Sequence, residues 1–398
     1  MNLSSSRLVL FHLCFASFTA GILLQQSFHF LLFLVSMAAL FRTGWVPGTL
    51  LGRGKRAAAA LFAAIFLAAL LAQWRFQGHA EFGFHWALLA FWLVTPALVD
   101  KANWVLLHRL MMGLSVPGLI YSFYWMLRPD EIAWAMEKGF HMFPRAEGFV
   151  SNPITNAATL ILIGSWSFAR LTSKVARFEK GLIWSHLSLS ILIVVVSRVR
   201  GGIVGFLFLF VAVALFSEKM RKRSLWMAPL VILMFLGTWY FFGFNVASIQ
   251  ERLTLIANSW VLIKEYPLFG IGPDHFFSFV LDGGELLGHP HNTVIGITAE
   301  TGFLGLVAYL SFMVAIGWAL FRLYRAYRTD SGPMGWVTKS LILVYGSYWV
   351  IGLTDYNFAD TELLLAHAFQ FATAMILSLK IPETTAERGS DSGESVRD

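Results

Sequence analysis

Residues 181–217 read GLIWSHLSLSILIVVVSRVRGGIVGFLFLFVAVALFS, apolar almost throughout and without an aspartate or glutamate. A helix crosses the hydrocarbon core of a bilayer in about 20 residues. This run is far too long for one crossing, so it predicts two helices with a tight reversal between them. Gly201 and Gly202 are the expected site of that reversal. Arg198 and Arg200 then lie at or just below one membrane surface.

The same pattern extends both ways along the chain. Of its 398 residues, 57% are hydrophobic and 13% charged, against roughly 25% charged in a soluble domain. The mean hydropathy is +0.65. Lipid must therefore solvate most of the surface. Apolar runs near 8–24, 27–41, 57–73, 82–99, 104–126 and 152–169 precede this stretch. Further runs near 224–243, 302–321, 336–354 and 361–379 follow it. The expected fold is all-α, a polytopic integral membrane protein of about twelve transmembrane helices. Residues 1–380 are expected to form a single transmembrane domain, followed by a disordered cytoplasmic tail over 381–398. No internal repeat is evident. The first run follows Arg7 without a small-residue cleavage site and reads as a retained helix.

The net charge of +7 is no nucleic-acid signal, because the basic residues fall in short gaps between apolar runs. Alternate gaps hold Arg42/Arg53/Lys55/Arg56, Lys101, Arg170/Lys174/Arg177/Lys180, Lys219/Arg221/Lys222/Arg223 and Arg322/Arg325/Arg328. Most of the 30 lysines and arginines lie on this one side, which the positive-inside rule makes cytoplasmic. Both termini are then cytoplasmic. Cys14 is the single cysteine, which excludes an internal disulfide.

On the outer side, the segment of about 244–301 between spans nine and ten is longer than a connection needs, and its patterning is partly helical. Ser248-Ile249-Gln250-Glu251 fits a capping box. Leu253, Ile256, Trp260 and Ile263 would share one face of the helix behind it. Arg252 falls in the first turn, where the dipole disfavours a cation but favours an anion. It reads either as a phosphate clamp or as a surface partner of Glu251 or another acid of the loop. Arg198 and Arg200 are open to a similar pair of readings. Each can bind phosphate oxygens bidentately, or snorkel to lipid headgroups.

His289-Pro290-His291-Asn292 is more informative. Pro290 keeps His289 extended, and Asn292 can cap the helix that follows. His291, held just outside a helix start, is a candidate general base. A metal pair with His289 and a purely structural histidine are the competing readings. No further histidine or carboxylate lies at familiar ligand spacing, so no metal is expected. Glu300 either fixes a histidine tautomer or is simply solvated. Asp355, an acid at membrane depth, can orient His291, pair with an arginine, or serve structure alone.

The R-x-R-G-G turn, the Gln-Glu-Arg-Leu helix start, Gly-Ile-Gly-Pro, His-Pro-His-Asn-Thr and Ala-Glu-Thr-Gly-Phe-Leu-Gly occur in this order. Over about residues 145–360 the chain resembles the bacterial O-antigen ligase superfamily, which also holds O-antigen polymerases and protein O-oligosaccharyltransferases. The resemblance implies a metal-independent, cofactor-free glycosyltransferase at the periplasmic face of the bacterial inner membrane. Its donor would be a glycan on undecaprenyl pyrophosphate. In the ligase branch the acceptor is a hydroxyl of the lipid A core, with membrane lipids around both. The family's histidine corresponds to His291 and its two arginines to Arg200 and Arg252. Arg200 is preferred to Arg198 because the family's arginine directly precedes the small residues opening the next span. Arg198, His289, Asn292, Glu300 and Asp355 are then substrate-side candidates.

The chemistry is compatible. A departing pyrophosphate gathers negative charge that fixed arginines stabilise, and the attacking hydroxyl needs a base. Direct attack with inversion is expected. The ligase branch is favoured, because the chain ends soon after span twelve, whereas the protein oligosaccharyltransferases usually carry more C-terminal sequence. The Arg-x10-Gly pattern of polymerases occurs from Arg170 to Gly181, on the expected cytoplasmic side, and from Arg128 to Gly139, so it does not separate the branches. A lipid or solute transporter is the reading from another class. Against it, the polar residues gather on one face rather than at the midplane.

Overall fold

The computed structural model describes residues 60, 63–64, 67–68, 70–71, 102–138, 146, 152–242, 247–273, 275–276, 290–355 and 361–381. The expected spans at 8–24, 27–41 and 82–99, His289, both termini and the tail beyond residue 381 lie outside them. The described residues of the run at 57–73 are helical.

Among the described residues, all regular structure is helical. We number the helices α1 (Trp104–Met126), α2 (Pro129–Lys138), α3 (Pro153–Arg170), α4 (Arg177–Val196) and α5 (Arg200–Phe216). Then follow α6 (Glu218–Phe242), α7 (Ala247–Glu265), α8 (Thr293–Tyr327), α9 (Pro333–Gly352) and α10 (Thr361–Leu379). Every apolar run expected from residue 104 onward falls on one of these helices. Three of them, α1, α4 and α8, are long and apolar enough to cross a bilayer, and α5 is apolar but shorter. Large apolar side chains such as Leu215, Trp226, Val314 and Trp318 face outward, as a lipid-solvated surface requires.

Local sequence explains the helix starts. Asn152 accepts from Ile154 N at 2.8 Å and precedes Pro153 in the first turn of α3. Asp330 accepts from Gly332 N at 2.8 Å and Gly335 N at 3.1 Å, which fixes the entry to α9. Helix α3 is buried almost all round, which makes it a core helix rather than a one-faced one. It packs against α5 and α9, and α9 also packs against α8 and α10.

The reversal between α4 and α5 differs from expectation. Val199 N reaches Val194 O at 3.4 Å and Arg198 N reaches Val195 O at 3.0 Å. This is a Schellman turn, in which the residue after the cap is left-handed and usually glycine. Here that residue is Arg198, at φ 57°. Gly201 and Gly202 lie inside α5 instead. They permit close packing: a Cβ on Gly202 would sit 2.7 Å from Val194 Cγ1 and 2.9 Å from Ala157 Cβ.

The two ends of α9 carry different chemistry. At its start, Trp336 lies under the Arg170 guanidinium at 5.3 Å. There Glu179 bridges Arg170 at 3.2 Å and Arg109 at 2.6 Å. At its other end, the turn Leu353-Thr354-Asp355 meets α7 and the start of α8.

Candidate active site

Three segments distant in sequence converge on that turn. Arg252, in α7, donates from Nη1 to Thr354 O at 2.7 Å. Asn292, ahead of α8, donates from Nδ2 to Leu353 O at 3.2 Å. The Nδ1 of His291 lies 3.2 Å from Asp355 Oδ1, and Thr293 Oγ1 donates to Asp355 O at 3.1 Å. Gly201, beside Arg200, comes so close that a Cβ there would lie 2.6 Å from Thr354 Oγ1. Arg200, Arg252, His291, Asn292 and Asp355 are thus brought to one place.

The His291–Asp355 pair is well shielded, with side chains 12% and 9% exposed. An ionised carboxylate only accepts, so in this pair Nδ1–H is the donor. Neutral imidazole then carries its lone pair on Nε2, the nitrogen that can take a proton. Asn292 Oδ1 caps α8 through Ile295 N at 3.0 Å, as its position predicts. His291 itself has φ 48°. A left-handed non-glycine costs roughly 1–2 kcal/mol and gathers at functional sites. Arg198 and His291 are the two such residues among those described.

The arginines form a cationic pole. Arg200 and Arg252 lie close enough for their like charges to act on each other. The Thr354 carbonyl that holds Arg252 neutralises none of its charge and engages one of five N–H donors. Two cations repelling across one site form an arrangement that a polyanion stabilises.

Several expectations need correction. Ser248 already lies within α7 rather than capping it, and Arg252 falls beyond the first turn from Ala247. Its buried face carries Leu255, Ser259, Leu262 and Ile263, whereas Leu253 and Trp260 are 61% and 51% exposed. Apolar residues at i, i+3 and i+7 fit two adjacent faces equally, and only packing against α8 selects one. Arg252 binds a backbone carbonyl, and Glu251 is exposed.

Glu300 is 4% exposed, so it is not solvated. The Glu300 backbone belongs to a hydrogen-bonded lock. Ile271 N donates to Ala299 O at 3.0 Å, Gly272 N to Glu300 O at 2.8 Å, and Phe303 N to Pro267 O at 2.8 Å. Gly302, at φ 67°, breaks α8 at this crossing, and Gly270, at φ 66°, faces it. The Gly-Ile-Gly-Pro and Glu-Thr-Gly-Phe-Leu-Gly motifs are therefore two halves of one joint.

Among the described residues, no three histidine, cysteine, aspartate or glutamate side chains form a metal-ion group. Sequence reasoning passed over Thr354, whose carbonyl holds Arg252. A backbone acceptor leaves no mark in a sequence.

With this geometry in place, the comparison with protein families is specific: residues 186–310 match the family described as O-Antigen ligase. Over that region the chain is similar to the O-antigen ligase superfamily. The match covers less than half of the chain, from within α4 to within α8. It includes Arg198, Arg200, Arg252, His291, Asn292 and Glu300. It stops short of Thr354 and Asp355, so two residues of the site lie beyond the O-antigen ligase match. No curated protein matches the chain.

Proposed function

We propose that this membrane protein is an O-antigen ligase, moving a glycan from undecaprenyl pyrophosphate to a hydroxyl of the lipid A-core oligosaccharide. The observation that carries the reading is the convergence of a carboxylate-held histidine and two arginines on the turn after α9. His291 Nε2 takes the proton of the attacking hydroxyl while its oxygen bonds to the anomeric carbon of the glycan. The bond from that carbon to the phosphate oxygen breaks, with inversion. Arg200 and Arg252 hold the departing diphosphate, and Asp355 steadies the imidazolium. Such a general base contributes roughly 10²–10⁴-fold. Arg198 and Asn292 shape the site through the left-handed turn and the cap, and His289 is a further proposed substrate-binding residue.

The reading includes a topology. Residues 1–380 form one transmembrane domain of about twelve crossings, with the loop about 244–301 inserted and 381–398 as a cytoplasmic tail. Both termini face the cytoplasm and the site faces the periplasm of the inner membrane. In support, the basic gap at Arg170 and the proposed site lie at opposite ends of α9.

The test is transfer by purified protein between undecaprenyl-pyrophosphate glycan and lipid A-core in EDTA. Glycan should pass to the lipid A core, and His291→Ala should abolish it. A donor glycan that is only lengthened would make the protein a polymerase. Transfer to a protein acceptor would make it an oligosaccharyltransferase.

A further inference from the structure

We infer that Gly201 is a positioning residue, whose missing side chain lets the turn after α9 seat against α5 and so sets the spacing of Arg200 and Arg252. The inference rests on the reading that those arginines bind the donor diphosphate. Thr354 is held from three directions. Its N–H donates to Ile351 O at 2.8 Å, its hydroxyl to the same oxygen at 2.9 Å, and its carbonyl accepts from Arg252 at 2.7 Å. The hydroxyl is therefore fixed where it would meet a Cβ on Gly201, at 2.6 Å, while Thr354 Cβ lies at an ordinary 3.6 Å. A methyl group at Gly201 must either turn the hydroxyl off Ile351 O or push the turn away from α5. The second movement carries the Arg252 acceptor away from Arg200.

Gly202 supplies the contrast. A Cβ there would press on Val194 and Ala157, which are buried core side chains. Its substitution should lower stability without a specific effect on donor binding.

The experiment measures donor KM, kcat and thermal stability for Gly201→Ala, Thr354→Ala, their double variant, and Gly202→Ala with and without Thr354→Ala. Gly201→Ala should raise the KM for undecaprenyl-pyrophosphate glycan about tenfold or more, given the cost of an ångström-scale misplacement. The double variant should return to the KM of Thr354→Ala, because the hydroxyl is gone. A KM that stays raised in the double variant overturns the inference, as does an unchanged KM in Gly201→Ala. Rescue of Gly202→Ala by Thr354→Ala also overturns it. If Gly201→Ala does not fold, the double variant against Thr354→Ala decides, with equal KM in support and a raised KM against. Arg252→Ala separates the two levels. An unchanged donor KM there sinks the diphosphate reading and this inference with it. A raised KM there, without coupling between Gly201 and Thr354, sinks this inference alone.

Discussion

Arg252 donates a 2.7 Å hydrogen bond to the carbonyl of Thr354, and the next residue, Asp355, holds the His291 ring. The proposed anion clamp and the proposed base therefore share one turn of backbone. A shift of that turn moves both.

Asp355→Asn should leave donor KM within a factor of a few and lower kcat, by about 10–100-fold, as outer partners of a functional imidazole do. Asparagine can offer Nδ2 to the ring and favour the wrong tautomer. Steady-state kinetics with the donor varied checks this. Full kcat in Asp355→Asn would remove Asp355 from the mechanism.

Arg252→Lys should behave much like Arg252→Ala in donor KM. A lysine places a single ammonium, which cannot hold the Thr354 carbonyl and also present a planar fork to a diphosphate. A KM restored to the wild-type value by lysine would show that charge alone suffices.

Inorganic pyrophosphate should compete with the donor and raise the melting temperature of the wild-type protein, because a ligand bound to the folded state stabilises it. The like charges of Arg200 and Arg252 are relieved when an anion sits between them. The shift should vanish in Arg252→Ala. Equal stabilisation of wild type and variant would place pyrophosphate elsewhere.

His291→Gly should be more stable than His291→Ala by about 1–2 kcal/mol, though both are inactive, because φ 48° is a left-handed backbone that glycine adopts freely. Differential scanning of the two purified variants checks this. Equal melting temperatures would mean the turn relaxes once the ring is gone.

At the far end of α9, Glu179→Ala should destabilise the protein, by roughly 3–5 kcal/mol, since it strands the Arg170 cation among buried groups. Donor KM of the folded fraction should not change. A selective loss of donor affinity would mean that the two ends of α9 communicate.

The sequence alone determined the class of molecule. Apolar runs of spanning length, with basic residues in alternate gaps, admit no other solvent than lipid, and every described run from residue 104 onward is helical. It also offered Arg198, Arg200, Arg252 and His291 as candidates, since charged and titratable side chains stand out in an apolar chain, and the family resemblance narrowed these to Arg200, Arg252 and His291. What it could not place were the partners. Arg198, not a glycine, makes the α4–α5 reversal, because the core needs Gly201 and Gly202 for close approach. The buried face of α7 follows its packing on α8, not the spacing of its own apolar residues. Asp355, far along the chain, holds His291. That choice depends on where α9 ends in space. Contacts across 64 and 102 positions arise from helix packing, and backbone carbonyls such as that of Thr354 are the same in every residue type. Only the tertiary structure selects which of them meets an arginine.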